Sequence, residues 1–242
     1  MKQLQLLIVA LFAFTFSAQA ALTPYQWTDY VGKISNTNIS LSVYLGEKGK
    51  LTGNYCYAKY DKRISLVGEV NGTNVILYEM QHGQQSAFFK GTLLSDSTDH
   101  LQGTWSDGKT TLPFNVHLTS IGSGTPTKRY RDTKQSDAAV EAYMKKVKMA
   151  ILEGNATWLS TQVNYPYKVT GADGKTKNLK TKAEFMANYK YVVSESLKKR
   201  IADICTCNLF SNYRGIMLGN GEVWINERPG GKGLWVITGL MP

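Results

Sequence analysis

The second half of this chain has no histidine. His82, His100 and His117 are the three of the sequence, and all fall in the first half. A histidine-dependent acid–base pair therefore cannot be assembled from residues 123–242 unless the first half reaches in. Cysteine is scarce as well: Cys56, Cys205 and Cys207 are the full set. They show neither the two-residue spacer of dithiol oxidoreductases nor a His/Cys cluster at zinc-ligand spacing. The HExxH, GxSxG and glycine-rich phosphate-loop signatures are also missing. The glycines of "GNGEV" and "PGGKG" sit between strand-like segments and open no helix, so they read as hairpin turns. These gaps remove the common metalloprotease, serine hydrolase and nucleotide-dependent readings. No catalytic residue, cofactor or metal ion is expected.

Long apolar runs are equally rare. The one present, "LQLLIVALFAFTF", follows Lys2, is too short for a comfortable membrane span, and leads into the small residues "SAQA" ending at Ala20. Residues 1–20 thus read as a cleavable bacterial secretory signal peptide. No cysteine follows the cleavage point, so no lipid anchor is indicated, and no later segment reaches spanning length. The expected location is the periplasm, which makes nucleic acid an improbable partner. In that oxidising compartment one cysteine pair should be joined and one thiol left over. Proximity along the chain favours Cys205 with Cys207 in "ICTC", although so small a ring is strained; pairing of Cys56 with either would staple the two halves together.

Acidic residues run short in only one half. Residues 21–122 carry eight Lys plus Arg against eight Asp plus Glu, whereas residues 123–242 carry nineteen against ten; that balance of +9, with Lys2, makes the +10 of the whole chain. The boundary falls in "TSIGSGTPTKRYRDTKQSD", where Gly, Ser, Thr, Pro and charge replace periodic apolar residues. The reading is two domains, residues 21–122 and 136–242, joined by a linker at 123–135.

The first domain alternates. In "NISLSVYLGEKGKLTGNYCYAKY", Ile39, Leu41, Val43 and Leu45 share one face, with Ser40, Ser42 and Tyr44 between them, and "GEKGK" turns the chain back. The pattern continues through "RISLVGEV", "VILYEM", "SAFFKGTLL", "HLQGTWSDGK" and "TLPFNVHL", giving seven or eight antiparallel strands. Such a meander removes its unpaired edges by closing into a barrel or a two-sheet sandwich.

The second domain changes period. "SDAAVEAYMKKVKMAILEGN" sets Ala139, Val140, Tyr143, Met144, Val147 and Ile151 on one face, with Ser136 or Asp137 as N-cap and Gly154 as stop. A short helix in "NATWLSTQV", a hairpin in "YPYKVTGADGKTKNLKT" and a helical stretch in "TKAEFMANYKYVVSESLKKRIADI" follow, the last opened by a Thr181/Glu184 capping box. Three short strands close the chain in residues 218–240.

Two resemblances follow. The "GTW" at Gly103 to Trp105, after a run of hairpins, resembles small β-meander barrels with inward small and Trp positions. The order of elements in residues 136–240, with "NLFSNYRGIMLGNGEVWIN", resembles the nuclear transport factor two-like fold, an α+β cone in which a curved antiparallel sheet wraps a long helix. That likeness implies a pocket between helix and sheet, used by some members for isomerase, cyclase or dehydratase chemistry and by others for binding alone.

Within such a pocket a base would have to be Glu222 or Asp203, with Tyr213, Tyr165 or Tyr189 as proton donor. Glu222 follows the "GNG" turn, where carboxylates commonly point to solvent. Trp224 and Trp235 suit a packed cross-strand pair or an aromatic platform. A binding surface would draw on Tyr213, Arg214, Glu222, Trp224, Arg228 and Trp235, and on the basic helix face at Lys145 and Lys148. Other basic clusters lie at Lys128, Arg129 and Arg131, at Lys175 to Lys182 and at Lys198, Lys199 and Arg200, where an acidic partner, anionic lipid or cell-wall polymer could be drawn in. A β-domain joined to a cone without a catalytic constellation is similar to periplasmic inhibitor and immunity proteins. The resulting expectation is a non-enzymatic binding protein whose partner is a secreted toxin or cell-envelope enzyme. The alternative is an enzyme or small-molecule binder using the cone pocket.

Overall fold

The computed structural model describes residues 22–171, 173–228 and 236–241; residues 1–20, expected as a signal peptide, and Trp235 lie outside the described residues. Eight strands, β1 (Trp27–Ile34), β2 (Thr37–Leu45), β3 (Lys50–Tyr57), β4 (Lys62–Asn71), β5 (Asn74–Gln81), β6 (Gln84–Ser95), β7 (Asp99–Ser106) and β8 (Thr111–Gly122), pair with their sequence neighbours. The last returns to pair antiparallel with the first, so the sheet is a closed barrel. Tight turns make this order possible. Between β5 and β6, His82 and Gly83 both take positive φ, 52° and 78°, the conformation that matches a two-residue hairpin to strand twist.

Alternation places Ile39, Leu41 and Val43 inside the barrel, where Tyr55, Leu77 and Phe89 fill the centre. Phe89 meets Tyr55 and Phe114 edge-on, each at 5.2 Å between centroids. The interior is a packed core rather than a channel. A carboxylate, Glu79, is buried there and accepts hydrogen bonds from Tyr55 (2.5 Å), Trp105 and Ser86 (3.4 Å). Burial, and then the bond to Glu79, hold the Tyr55 phenol far above its usual range.

The outer face of β2 departs from simple alternation. Ser42, expected to face solvent, is fully buried because the C-terminal half covers it. That half begins with α1 (Asp137–Glu153), where Ser136 accepts the Ala139 N–H at 3.2 Å and Gly154, in the left-handed region, ends the helix. α2 (Ala156–Gln162) and the hairpin of β9 (Tyr167–Thr170) and β10 (Thr176–Leu179) follow.

The stretch expected as one helical run is three short helices, α3 (Lys182–Ala187), α4 (Tyr189–Val192) and α5 (Glu195–Ala202). Two polar side chains break it. Asn188 turns its amide onto the Glu184 carbonyl, and Ser194 caps Leu197 N–H, so each offers the backbone a local alternative to continuing the helix. Strands β11 (Phe210–Asn212), β12 (Gly215–Leu218), β13 (Val223–Asn226) and β14 (Val236–Leu240) form an antiparallel sheet in sequence order. Met144, Phe185, Leu197, Leu218 and Ile225 are among the residues of one apolar cluster that joins these helices to the sheet.

Within residues 123–135, expected as a linker, Arg129, Tyr130 and Thr133 are buried while most of the others are exposed. Arg129 is buried (5% exposed) and donates to Asp29 Oδ2 at 2.6 Å, Ser42 Oγ at 2.8 Å and the Leu209 carbonyl at 3.3 Å. Ser42 and Ser120 satisfy the rest of the Asp29 carboxylate at 2.5 and 2.7 Å. Burial opposes the charge of the guanidinium most strongly, but Asp29, Tyr130 and Glu141 together hold Arg129 above its ordinary value. Next to it Tyr130, also buried, donates to Glu141 and accepts the Leu209 N–H. Polar and charged composition resembles a tether until these partners are known.

The disulfide also differs from the favoured expectation. Cys56 on β3 is joined to Cys205, with Cα atoms 6.4 Å apart, and Cys207 is the free, buried thiol. Tertiary anchoring decides this: Thr206, between the two C-terminal cysteines, donates its N–H and hydroxyl to Asp61 at 2.7 and 2.8 Å. That holds residues 205–207 against the end of β3. In oxidised protein, tryptic mapping under non-reducing conditions should therefore yield residues 51–59 linked to residues 201–214. An internal bridge within 201–214 would overturn the assignment.

The Arg129–Asp29 pair gives a second expectation. Arg129→Met strands a buried carboxylate and should lower the unfolding free energy by about 3–5 kcal/mol in urea titrations, whereas adding Asp29→Leu should restore part of it. A loss below about 1 kcal/mol for the single change would show that the pair does not fasten the seam.

Candidate functional site

Where the barrel meets the terminal sheet, the seam opens into a cleft of about 670 Å³. One wall is the outer face of β1, β2 and β8, including Val31, Lys33, Asn38 and Ser40; the other is residues 203–210 with Met217 and Asn220. The barrel side exists because strand residues that alternate away from the interior face outward here. The opposite side exists because Asp61 and Arg129 pin the 205–209 segment. Asn208 lies in this segment with φ 60°, a conformation that asparagine tolerates better than most residues.

Asn208 is buried (8% exposed), and neither its side-chain oxygen nor its side-chain nitrogen has a hydrogen-bond partner in the protein. Leaving such a group unpaired costs about 1–3 kcal/mol. Its backbone N–H, by contrast, is used, donating to Glu141 at 3.2 Å. Beside it the cleft carries one exposed cation, Lys33, and one exposed carboxylate, Asp203, on opposite walls. The other carboxylate in the lining, Asp29, is fully occupied by Arg129, Ser42 and Ser120. A second, more open depression of about 830 Å³ lies on the barrel over Gly32 and Gly103, with Gln102, Asn115 and His117 at its edge.

A perturbed carboxyl in a crevice often marks catalysis. Here Glu141 is such a group: burial pushes its acid above the usual range against the pull of Arg63. Its Oε1, however, accepts from Arg63, Tyr130 and the Asn208 N–H, which makes it a structural acceptor. The carboxylate first in line from sequence, Glu222, does not point freely to solvent. It accepts the Asn220 N–H at 2.6 Å and pairs with Arg200 at 3.3 Å. Tyr165 donates to the Ser160 carbonyl at 2.8 Å, and Tyr213 bonds Arg214 Nε at 3.0 Å.

The expected surface residues do not converge. Tyr213, strongly exposed, and Arg214 form the turn between β11 and β12, whereas Glu222 lies at the opposite end of those strands, in the turn between β12 and β13. Arg228 donates to Asn164 and to the Thr161 carbonyl, at 3.3 and 3.0 Å. Trp224 packs over Gly239 on β14; its expected partner Trp235 lies outside the described residues.

The basic helix face also requires correction. Lys148 is buried, its ammonium donating to the Ile204 carbonyl at 2.6 Å, and burial lowers its pKa despite Asp61 and Asp203. Lys145 remains exposed, but its ammonium reaches the Asp61 carbonyl at 3.3 Å. Both lysines serve the seam, because a long aliphatic stem lets a lysine cross an apolar face and end on a carbonyl.

Asn208, Asp61 and Asp29 were not singled out as functional from sequence; Arg129 was read as part of a basic cluster open to an acidic partner, whereas the structure buries it on Asp29. Asp29 carried the one available signal, a carboxylate between the aromatic residues Trp27 and Tyr30 of the strand "WTDYVGKI". Among the described residues no helix is long and apolar enough to cross a membrane. Comparison of the chain with family models, with known proteins and with solved structures finds no match.

Proposed function

We propose that this chain is a non-enzymatic binding protein of the bacterial periplasm, an inhibitor or immunity protein that occludes a secreted toxin or cell-envelope enzyme. In this reading the barrel and a C-terminal cone of the nuclear transport factor two-like kind are two domains that act as one rigid unit. The observation that carries the proposal is the seam cleft. It is built by both halves, fastened by a buried ion pair and a disulfide, and lined in part by Asn208, whose buried amide has no partner. Fastening supports occlusion because a preorganised surface loses less freedom on binding. The disulfide suits export to an oxidising compartment. The engaged carboxylates Asp29, Glu141 and Glu222 support binding over acid–base chemistry.

The same cleft supports a second reading, a small-molecule site, because about 670 Å³ lies in the range that encloses drug-sized ligands. One pair of variants separates these classes. Ser40→Trp fills the cleft from the barrel wall, whereas Asp203→Asn removes its exposed carboxylate with little change of shape.

Tagged, oxidised mature protein should retain a stoichiometric protein partner from periplasmic extract. Ser40→Trp should weaken that association by about 10- to 100-fold, or about 1.4–2.8 kcal/mol, with an unchanged unfolding midpoint. Asp203→Asn should leave it within about threefold, less than about 0.7 kcal/mol. Loss of the biological effect on Asp203→Asn, with the fold and partner retained, would overturn the binding reading in favour of an enzyme. Retention of a metabolite and no protein would establish the small-molecule reading.

A further inference from the structure

Four groups from two distant parts of the chain meet beside the cleft. The sulfurs of Cys56, Cys205 and Cys207 and a carboxylate oxygen of Asp61 all lie within 4.8 Å of one another. Sequence spacing could not reveal this set, because Cys56 lies on β3 and Asp61 just after it, whereas Cys205 and Cys207 follow α5, and only tertiary packing joins them. In the oxidised chain two of the sulfurs are spent on the Cys56–Cys205 bond. We propose that the reduced chain uses the four groups as a site for one zinc ion, a three-thiolate, one-carboxylate site that opens only when the disulfide is reduced.

The chemistry balances in two steps. A dithiol reductant gives two electrons and two protons to the disulfide, breaking its S–S bond to form the Cys56 and Cys205 thiols and becoming a disulfide itself. Zinc then displaces the protons of three thiols, releasing three protons to solvent while the three sulfurs and Asp61 donate to the metal. Three soft sulfurs and one oxygen suit a four-coordinate zinc ion.

The surroundings support this assignment. Three thiolates and a carboxylate carry four negative charges, and zinc leaves two uncompensated. Lys145, 3.9 Å from the Asp61 carboxylate, supplies one positive charge at the cluster's edge. Thr206 orients Asp61 from its N–H and hydroxyl, the kind of supporting contact that fixes a ligand before metal arrives. Cys205 and Cys207 also line the cleft, which provides an entry path.

In the oxidised state the remaining thiol, Cys207, is free and buried.

The test uses mature protein reduced by a dithiol without oxygen and titrated with cobalt(II), then zinc. The expected result is one cobalt per chain, with near-ultraviolet thiolate charge-transfer absorption and intense visible bands of four-coordinate cobalt, both lost on adding zinc. Zinc should raise the unfolding midpoint of the reduced chain and leave that of the oxidised chain unchanged. Cys207→Ser retains the Cys56–Cys205 bond when oxidised, so its folding can be verified; after reduction it should bind cobalt more than about 100-fold more weakly. Absence of thiolate absorption in the reduced chain would overturn the proposal, as would equal binding by Cys207→Ser or equal stabilisation of both redox states.

Discussion

One buried ion pair organises this protein. Arg129 leaves a segment that composition marks as solvent-exposed and enters the wall of the barrel, where Asp29, Ser42 and the Leu209 carbonyl receive it. A buried pair is a poor source of net stability, because desolvating both charges offsets much of their attraction. Its effect here is specificity of arrangement. Asp29 belongs to β1, Ser42 to β2 and Leu209 to the segment leading into β11, so one guanidinium fixes three pieces of chain relative to one another. Trp27, whose ring lies 5.2 Å from the guanidinium carbon, donates to the Thr125 carbonyl and closes the other side.

This arrangement explains a pattern that alternation alone misreads. Strand β2 buries Ile39, Leu41 and Val43 in the barrel, and it also buries Ser42 on the opposite face. A serine at an outward position is ordinarily solvated; here it donates to Asp29 and accepts from Arg129. The polar outer face of a barrel thus becomes the inner face of an interface. An interface built this way can keep a cleft open beside it, because directional hydrogen bonds hold its walls apart as well as together.

The barrel and α1 were legible because their signals are local. Period-two alternation, glycine turns and the Ser136 and Gly154 caps each act over a few residues, and each reappears in the structure. Breaks at Asn188 and Ser194 were visible as residues but not as breaks, since whether a polar side chain caps or faces water depends on its neighbours. The cleft was not legible at all. Its walls come from residues 29–58, 119–120 and 203–220, and its unpaired amide is defined by what the rest of the fold fails to offer Asn208. Lys148 shows the same limit: the same residue reads as solvated surface from helical spacing and becomes a buried donor once the Ile204 carbonyl is placed opposite.

The two fasteners of the seam differ in what can release them. The Arg129–Asp29 pair is buried, so salt screens it little, and it does not depend on oxidation. The Cys56–Cys205 bond closes a loop with a sequence separation of 149 residues and can be opened by a thiol. If only the disulfide is opened, the ion pair still ties residues 129 and 209 to the barrel and Asp61 still holds Thr206. The cysteines then remain neighbours without being bonded, as part of a folded chain rather than the ends of a long flexible loop. A set of ligands held this way forgoes most of the loop-closure cost that scattered thiols would incur. The redox-independent lock is therefore what makes the redox-dependent cluster physically meaningful, because it preserves the arrangement that reduction exposes.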